Sequence, residues 1–145
     1  MIESLQGITR LYLDANILIY LVEGDEALSQ SVHALLEAAD AAHIRLFTSD
    51  ITLTECLLGP LRAGNNDLAQ AYLDLLQSHD FIALVGAELD VCVKASHIGA
   101  QCHLKTVDAI HLASAESSGC QALLSNDHGF KNTDNVRVIR LSDCV

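Results

Sequence analysis

Four acidic residues in this 145-residue chain stand where an apolar pattern gives way to a polar one. Asp14 closes the apolar run Leu11-Tyr-Leu, and Asn16 and a second apolar run from Ile17 follow at once. Glu55 ends the tetrapeptide Thr52-Leu-Thr-Glu55. Asp108 lies near the start of Lys105-Thr-Val-Asp-Ala-Ile-His-Leu-Ala113, and Asp127 lies in Ser125-Asn-Asp-His-Gly-Phe130. Each acid has an ordinary structural explanation. Asp14 suits the N-cap of a following helix. Glu55 suits a capping box with Thr52 as the cap. Asp108 suits the first turn of a helix, where the dipole favours negative charge, and Asp127 suits a turn.

The elements that must carry these acids change the reading. Leu11 to Leu13 reads as a short buried strand with Asp14 at its C-terminal tip. Asp25 to Ala42 has apolar residues at helical spacing (Ala27, Leu28, Val32, Leu35, Leu36, Ala39). A second strand is expected over Arg45–Thr48, and a helix from Thr52 to about Leu61, closing near Gly59-Pro60. Another helix runs from Asp67 to Ser78, a third strand from Phe81 to Val85, and a helix from Glu88 to about Ile98, ended by Gly99. Lys105–Ser117 is a strongly patterned helix stopped by Gly119. Ala122–Leu124 and Val136–Leu141 supply the last two strands. Short apolar strands alternating with helices predict a parallel sheet covered on both faces. In such a sheet, strand C-termini and the N-termini of the following helices share one edge, where ligands bind. All four acids fall at that edge. Carboxylates gathered there repel one another unless a hard cation sits among them, and oxygen ligands suit Mg²⁺ and Mn²⁺.

Leu13-Asp-Ala-Asn-Ile-Leu-Ile19, Leu53-Thr-Glu-Cys56, Lys105–Ala113 and Ser125–Phe130, in this order, resemble the successive acidic motifs of PIN-domain ribonucleases. The length and the Asp-Ala-Ile-His-Leu-Ala helix most resemble the VapC toxins of type II toxin–antitoxin pairs. The resemblance covers essentially the whole chain, residues 1–145, as a single PIN domain. It implies a Rossmann-like, three-layer α/β/α fold with a central five-stranded parallel sheet. It also implies an endoribonuclease that binds one or two Mg²⁺ or Mn²⁺ ions per site. Asp14, Glu55, Asp108 and Asp127 take the catalytic and metal-binding positions. Asn16 and Ser125 are then supporting groups that orient a carboxylate or a water. A homodimer, an RNA substrate and a cognate antitoxin protein follow from the same resemblance. Two other readings use a similar fold. A phosphatase or phosphotransfer protein needs a nucleophilic Asp with a partner acid two residues on, but Asn16 stands there. A non-catalytic binding module is expected to lose site acids, and none is lost.

Other residues carry weaker signals. His111 lies one helical turn after Asp108 and shares its face; the plainer expectation is a hydrogen-bonded structural histidine. Lys105, His128 and Lys131 flank the acids, with solvent exposure as their plainer fate. The net charge of −11, from 8 basic and 19 acidic residues, argues against tight nonspecific binding of nucleic acid. It leaves cation-dependent chemistry on phosphate open. Five scattered cysteines without a C-x-x-C pair read as reduced thiols in a cytoplasmic protein. No run approaches the ~18 apolar residues of a membrane span, and the first ten residues lack the apolar core of a signal peptide. Half the residues are hydrophobic but only 4% are aromatic, which favours an aliphatic core of helices on a sheet.

Overall fold

The computed structural model describes residues 3–144. Strand β1 (Arg10–Leu13) leads into helices α1 (Ala15–Glu23) and α2 (Glu26–Ala41). Then come β2 (Arg45–Ser49), α3 (Asp50–Arg62), α4 (Asn66–Leu76), β3 (Ala83–Val85), α5 (Leu89–Cys102), α6 (Thr106–Ser117), β4 (Ala122–Ser125) and β5 (Arg137–Arg140). Short 3-10 turns lie at Glu3–Leu5 and Leu141–Asp143. The five strands form one parallel sheet in the order β3-β2-β1-β4-β5. The chain winds outward from β1 to β3, then returns to lay β4 on the other side of β1. The boundary between β1 and β4 is therefore the switch point at which such sheets open a binding crevice.

Alternation along the strands sends side chains to opposite faces. Leu11, Leu13, Leu46, Leu124 and Ile139 pack on one face, with Ile17 and Leu18 of α1, Val32 and Leu35 of α2 and Tyr72 and Leu76 of α4. Tyr12, Phe47 and Leu123 pack on the other, against Val91, Ala95 and Ile98 of α5 and Leu112 and Ala113 of α6. Two cores sandwich the sheet, which gives the expected three-layer α/β/α architecture. Among the described residues no helix is long and apolar enough to cross a membrane.

Two helices differ from their sequence reading. α3 starts at Asp50, with Ser49 as N-cap accepting from the Ile51 amide at 3.3 Å. Thr52 is buried inside the helix and its hydroxyl meets that of Thr48 at 2.7 Å, so the expected capping box with Glu55 does not form. The helix also runs through Gly59 and Pro60 to Arg62; the proline forfeits one ladder bond, but its ring is buried. α5 continues past Gly99 to Cys102 and ends on His103 in the left-handed conformation (φ 55°). Gly99 is a close-approach residue, because a Cβ there would meet the Ala109 Cβ of α6 at 3.3 Å. Packing against α6 overrides the stop signal that glycine carries in the sequence.

Candidate active site

At the switch point β1 delivers Asp14, which is buried and serves as the N-cap of α1. Its Oδ1 accepts from the Ala15 amide at 2.8 Å, and its Oδ2 accepts from the Ser125 hydroxyl at 2.7 Å. The capping explanation is therefore correct, yet it does not exhaust the residue. Ser125, the last residue of β4 and fully buried, accepts from Asn16 Nδ2 at 3.2 Å and from the Asp127 amide at 2.9 Å. Asn16 Oδ1 in turn accepts from the Asn126 amide at 3.4 Å. The two supporting residues thus tie the loop after β4 to the tip of β1. Burial raises the Asp14 pKa above the ordinary carboxylate value; His111 and the Ser125 hydroxyl oppose the rise, and Glu55 adds to it.

Glu55 reaches this edge from the second turn of α3, freed from any cap. His111 of α6 meets it: Nε2 lies 2.6 Å from Glu55 Oε1 and 3.7 Å from Asp14 Oδ1. The other ring nitrogen, Nδ1, lies 2.7 Å from the Tyr12 hydroxyl. His111 is indeed a buried, hydrogen-bonded histidine, but its partners include two of the four acids.

The other two acids approach from the far side. Asp108 is half-buried in the first turn of α6, and Asp127 is exposed on the loop after β4. Asp127 Oδ1 accepts from the Gly129 amide at 2.8 Å, the geometry of a turn acid. A Cβ on Gly129 would stand 3.2 Å from Asp127 Oδ1 and 3.5 Å from Asp108 Oδ2. The missing side chain keeps open the space that both carboxylates face. Asp108 has its pKa raised by burial first and by the charge of Asp127 second, with a further push from Glu55; His111 and Lys105 oppose it. Asp14 thus feels the charge of Glu55, and Asp108 feels those of Asp127 and Glu55.

The donor set fits a hard divalent cation. It consists of carboxylate oxygens, which suit such ions, and the charges of Glu55 and Asp127 raise the pKa of Asp14 and Asp108 respectively, a repulsion that a cation between them would offset. The arrangement is two pairs, Asp14 with Glu55 and Asp108 with Asp127. Among the described residues no three His, Cys, Asp or Glu side chains are drawn into one ready-made cage. His111 links the first pair, with Nε2 beside both Glu55 and Asp14.

Two further residues shape the site. Arg140, at the end of β5, donates from Nη1 to the Asp127 carbonyl at 3.0 Å and so braces the loop. Nothing in the local sequence signals that role; it comes from β5 pairing with β4 in register. Tyr12 reads as a core residue of β1 and is one, but its hydroxyl ends at His111. Of the flanking cations, Lys131 is exposed and donates to the Cys102 carbonyl at 3.1 Å. His128 and Lys105 are also exposed.

The PIN domain family model matches residues 11–136. No curated protein matches the chain. Several solved structures share the fold. VapBC2 from Rickettsia felis, bound to a DNA fragment from its promoter, is 18% identical with a TM-score of 0.73, covering 90% of this chain and 98% of that one. A toxin–antitoxin complex from Klebsiella pneumoniae is 22% identical with a TM-score of 0.65, covering 87% and 94%. VapC20 from Mycobacterium tuberculosis, a sarcin–ricin loop cleaving toxin, is 16% identical with a TM-score of 0.62, covering 83% and 89%. At these identities the likeness is one of fold. The family match spans all four acids, both supporting residues, β1 from its second residue and β2 to β4 entire, and the chain belongs to the PIN domain family.

Proposed function

We propose that this chain is a divalent-metal-dependent endoribonuclease and the toxin of a type II toxin–antitoxin pair. The observation that supports the reading is a pair of acid contacts beside the switch point: His111 lies against both Asp14 and Glu55, and Gly129 lies against both Asp108 and Asp127, with Glu55 raising the pKa of Asp14 and Asp127 that of Asp108. Those four acids would hold one or two Mg²⁺ or Mn²⁺ ions, which would make a water more acidic and offset charge on the phosphate. The chain's own residues do the rest. Ser125 and the Ala15 amide fix both oxygens of Asp14, which leaves their outward lone pairs as ligands. Asn16 and Ser125 hold the Asp127 loop against the tip of β1. Gly129 leaves room for a phosphodiester beside Asp108 and Asp127. Hydrolysis here calls for no protein nucleophile. Both Asp14 oxygens are already engaged, which also weighs against a phosphotransfer role for that residue.

The toxin part of the proposal draws on the neighbours, since one is a cleaving toxin and another a toxin–antitoxin complex. The partner is then an antitoxin that lays a basic side chain against the acidic edge, a complementarity that the net charge of −11 reinforces. The enzyme would work as a homodimer in the cytoplasm. Folded RNA incubated with the protein and Mn²⁺ is expected to be cut internally, with no cutting in chelator. Phosphate release from small esters without RNA cleavage would favour phosphotransfer instead. Expression of the chain alone is expected to arrest growth, and expression of Asp108→Asn is not; normal growth at high soluble levels of the native chain would remove the toxin role while leaving the nuclease.

A further inference from the structure

Glu55 differs from Asp14 and Asp127 in how it is held. Asp14 and Asp127 accept from backbone amides of neighbouring residues, so their placement follows from local chain geometry. Glu55 sits mid-helix on an exposed face, and its carboxylate has one hydrogen-bond partner among the described residues, His111 Nε2. A glutamate so placed has several rotamers open to it. Something else must bring its carboxylate toward Asp14.

That something is anchored at both ends. A carboxylate only accepts, so Nε2 carries the proton it shares with Glu55. In the neutral ring Nδ1 is then the acceptor, and the Tyr12 hydroxyl donates to it. Tyr12 is wholly buried in the central strand, two residues before Asp14, so its hydroxyl is a fixed anchor for the ring. The ring is also clamped edge-on by Tyr12 at 5.7 Å and by Phe130 at 6.4 Å between centroids. The His111 ring is therefore held at both nitrogens, by Tyr12 of β1 at Nδ1 and by Glu55 of α3 at Nε2, and its orientation is carried from β1 across to α3.

We propose that His111, set by Tyr12, is a positioning residue that aims Glu55 at the cation shared with Asp14. The inference rests on the metal-dependent reading of the acids. Its consequence is that loss of the imidazole acts through Glu55 and on metal binding, ahead of any effect on the fold. Removing a group that orients a ligand costs about tenfold to a hundredfold in metal affinity.

The test is Mn²⁺ affinity of the full chain, read by calorimetry or by electron paramagnetic resonance of free Mn²⁺, with RNA cleavage alongside. His111→Leu, which keeps an apolar side chain of similar bulk, is expected to weaken Mn²⁺ binding about tenfold to a hundredfold. His111→Gln, whose amide can donate near the position of Nε2, is expected to recover most of that loss. In the Glu55→Gln background, His111→Leu is expected to add almost nothing, because the group it aims is already gone. Equal Mn²⁺ affinity in native protein and His111→Leu, with Glu55→Gln impaired, overturns the positioning role and leaves the metal site standing. Additive losses in the double variant overturn it likewise. If neither native protein nor Glu55→Gln responds to Mn²⁺, the metal reading itself fails and this inference with it. Should His111→Leu not fold, Tyr12→Phe takes its place: it spares the ring and the core, frees Nδ1, and is expected to weaken Mn²⁺ binding several-fold. No change there overturns the proposal.

Discussion

The inner and outer acids of this edge are held by different physics. Asp14 is buried and each of its oxygens accepts one hydrogen bond, from a backbone amide and from a buried serine. Asp108 is half-buried, no hydrogen bond to its carboxylate occurs among the described residues, and it faces the like charge of Asp127. The pKa of each is raised, with burial the first cause in both. What differs is the remainder: for Asp14 the surroundings mostly oppose the rise, while for Asp108 the next cause adds to it. Asp14 is a prebuilt part of the fold, and the outer pair is a store of repulsion that a bound cation would relieve.

The largest expected effect tests whether both pairs serve one centre. Asp14→Asn, Glu55→Gln and Asp108→Asn each keep size and remove a charge. On the proposed mechanism several kcal/mol of transition-state stabilisation would rest on the cation, so each change is expected to lower RNA cleavage by about 10²–10³-fold. Asp127→Asn is expected to cost less, since that side chain is exposed on a turn. Single-turnover cleavage rates measure this. An acid whose neutralisation leaves the rate intact would not belong to the centre.

Metal binding should stabilise the folded chain, since the unfolded one does not gather the acids. At a hundredfold excess of Mn²⁺ over its Kd the gain is about 2.7 kcal/mol. Melting curves in chelator and in Mn²⁺ measure it, and Asp108→Asn is expected to show a smaller gain. An identical Tm with and without Mn²⁺ would break the comparison at its root.

Ser125→Ala separates the pairs in the absence of metal. It strips a hydroxyl from Asp14 Oδ2 and an acceptor from the Asp127 amide and from Asn16. Leaving buried polar groups unmet costs about 1–3 kcal/mol each, so denaturant unfolding in chelator should show a loss of that order. Ser125→Thr keeps the hydroxyl and is expected to restore most of it. A Ser125→Ala protein as stable as the native chain would mean that Asp14 is not prebuilt.

The sequence exposed the acids and their order because the cues are local. A buried strand ending on Asp14, and Asp108 opening a patterned helix, are legible from hydrophobic period alone. The parallel sheet and its two covered faces follow from the alternation of strands with helices. What escaped were effects of partners distant in sequence. The Thr52–Glu55 pattern matches a capping box, but Ser49 captures the helix start one turn earlier, and Thr52 is recruited by Thr48. Gly99 looks like a stop, and only the approach of Ala109 explains why it is not. His111 could be placed on the face of Asp108, yet its partners lie 99 and 56 residues away. The sheet order alone brings them together.

The smallest expected effect concerns Asp108 by itself. Above its raised pKa the folded state holds a carboxylate that burial and Asp127 disfavour, so the charge works against folding at neutral pH. As pH falls through that raised value toward the unfolded value near 3.8, the folded state takes up its proton first and recovers the lost stability. Asp108→Asn has no such proton to bind. In chelator the variant is therefore expected to be at least as stable as the native chain at pH 7, and the native chain should draw level or ahead as the pH approaches 4. Salt should narrow the difference at neutral pH, because Asp127 is exposed and its field is screened. If Asp108 acted only on the helix dipole, its pKa would be lowered and the sign would reverse. Asp108→Asn would then cost about 0.3–1 kcal/mol at pH 7, and the cost would fade in acid. Unfolding free energies of the two proteins at pH 4 and pH 7 in chelator distinguish the cases by sign, which is a firmer criterion than size for an effect below about 1 kcal/mol.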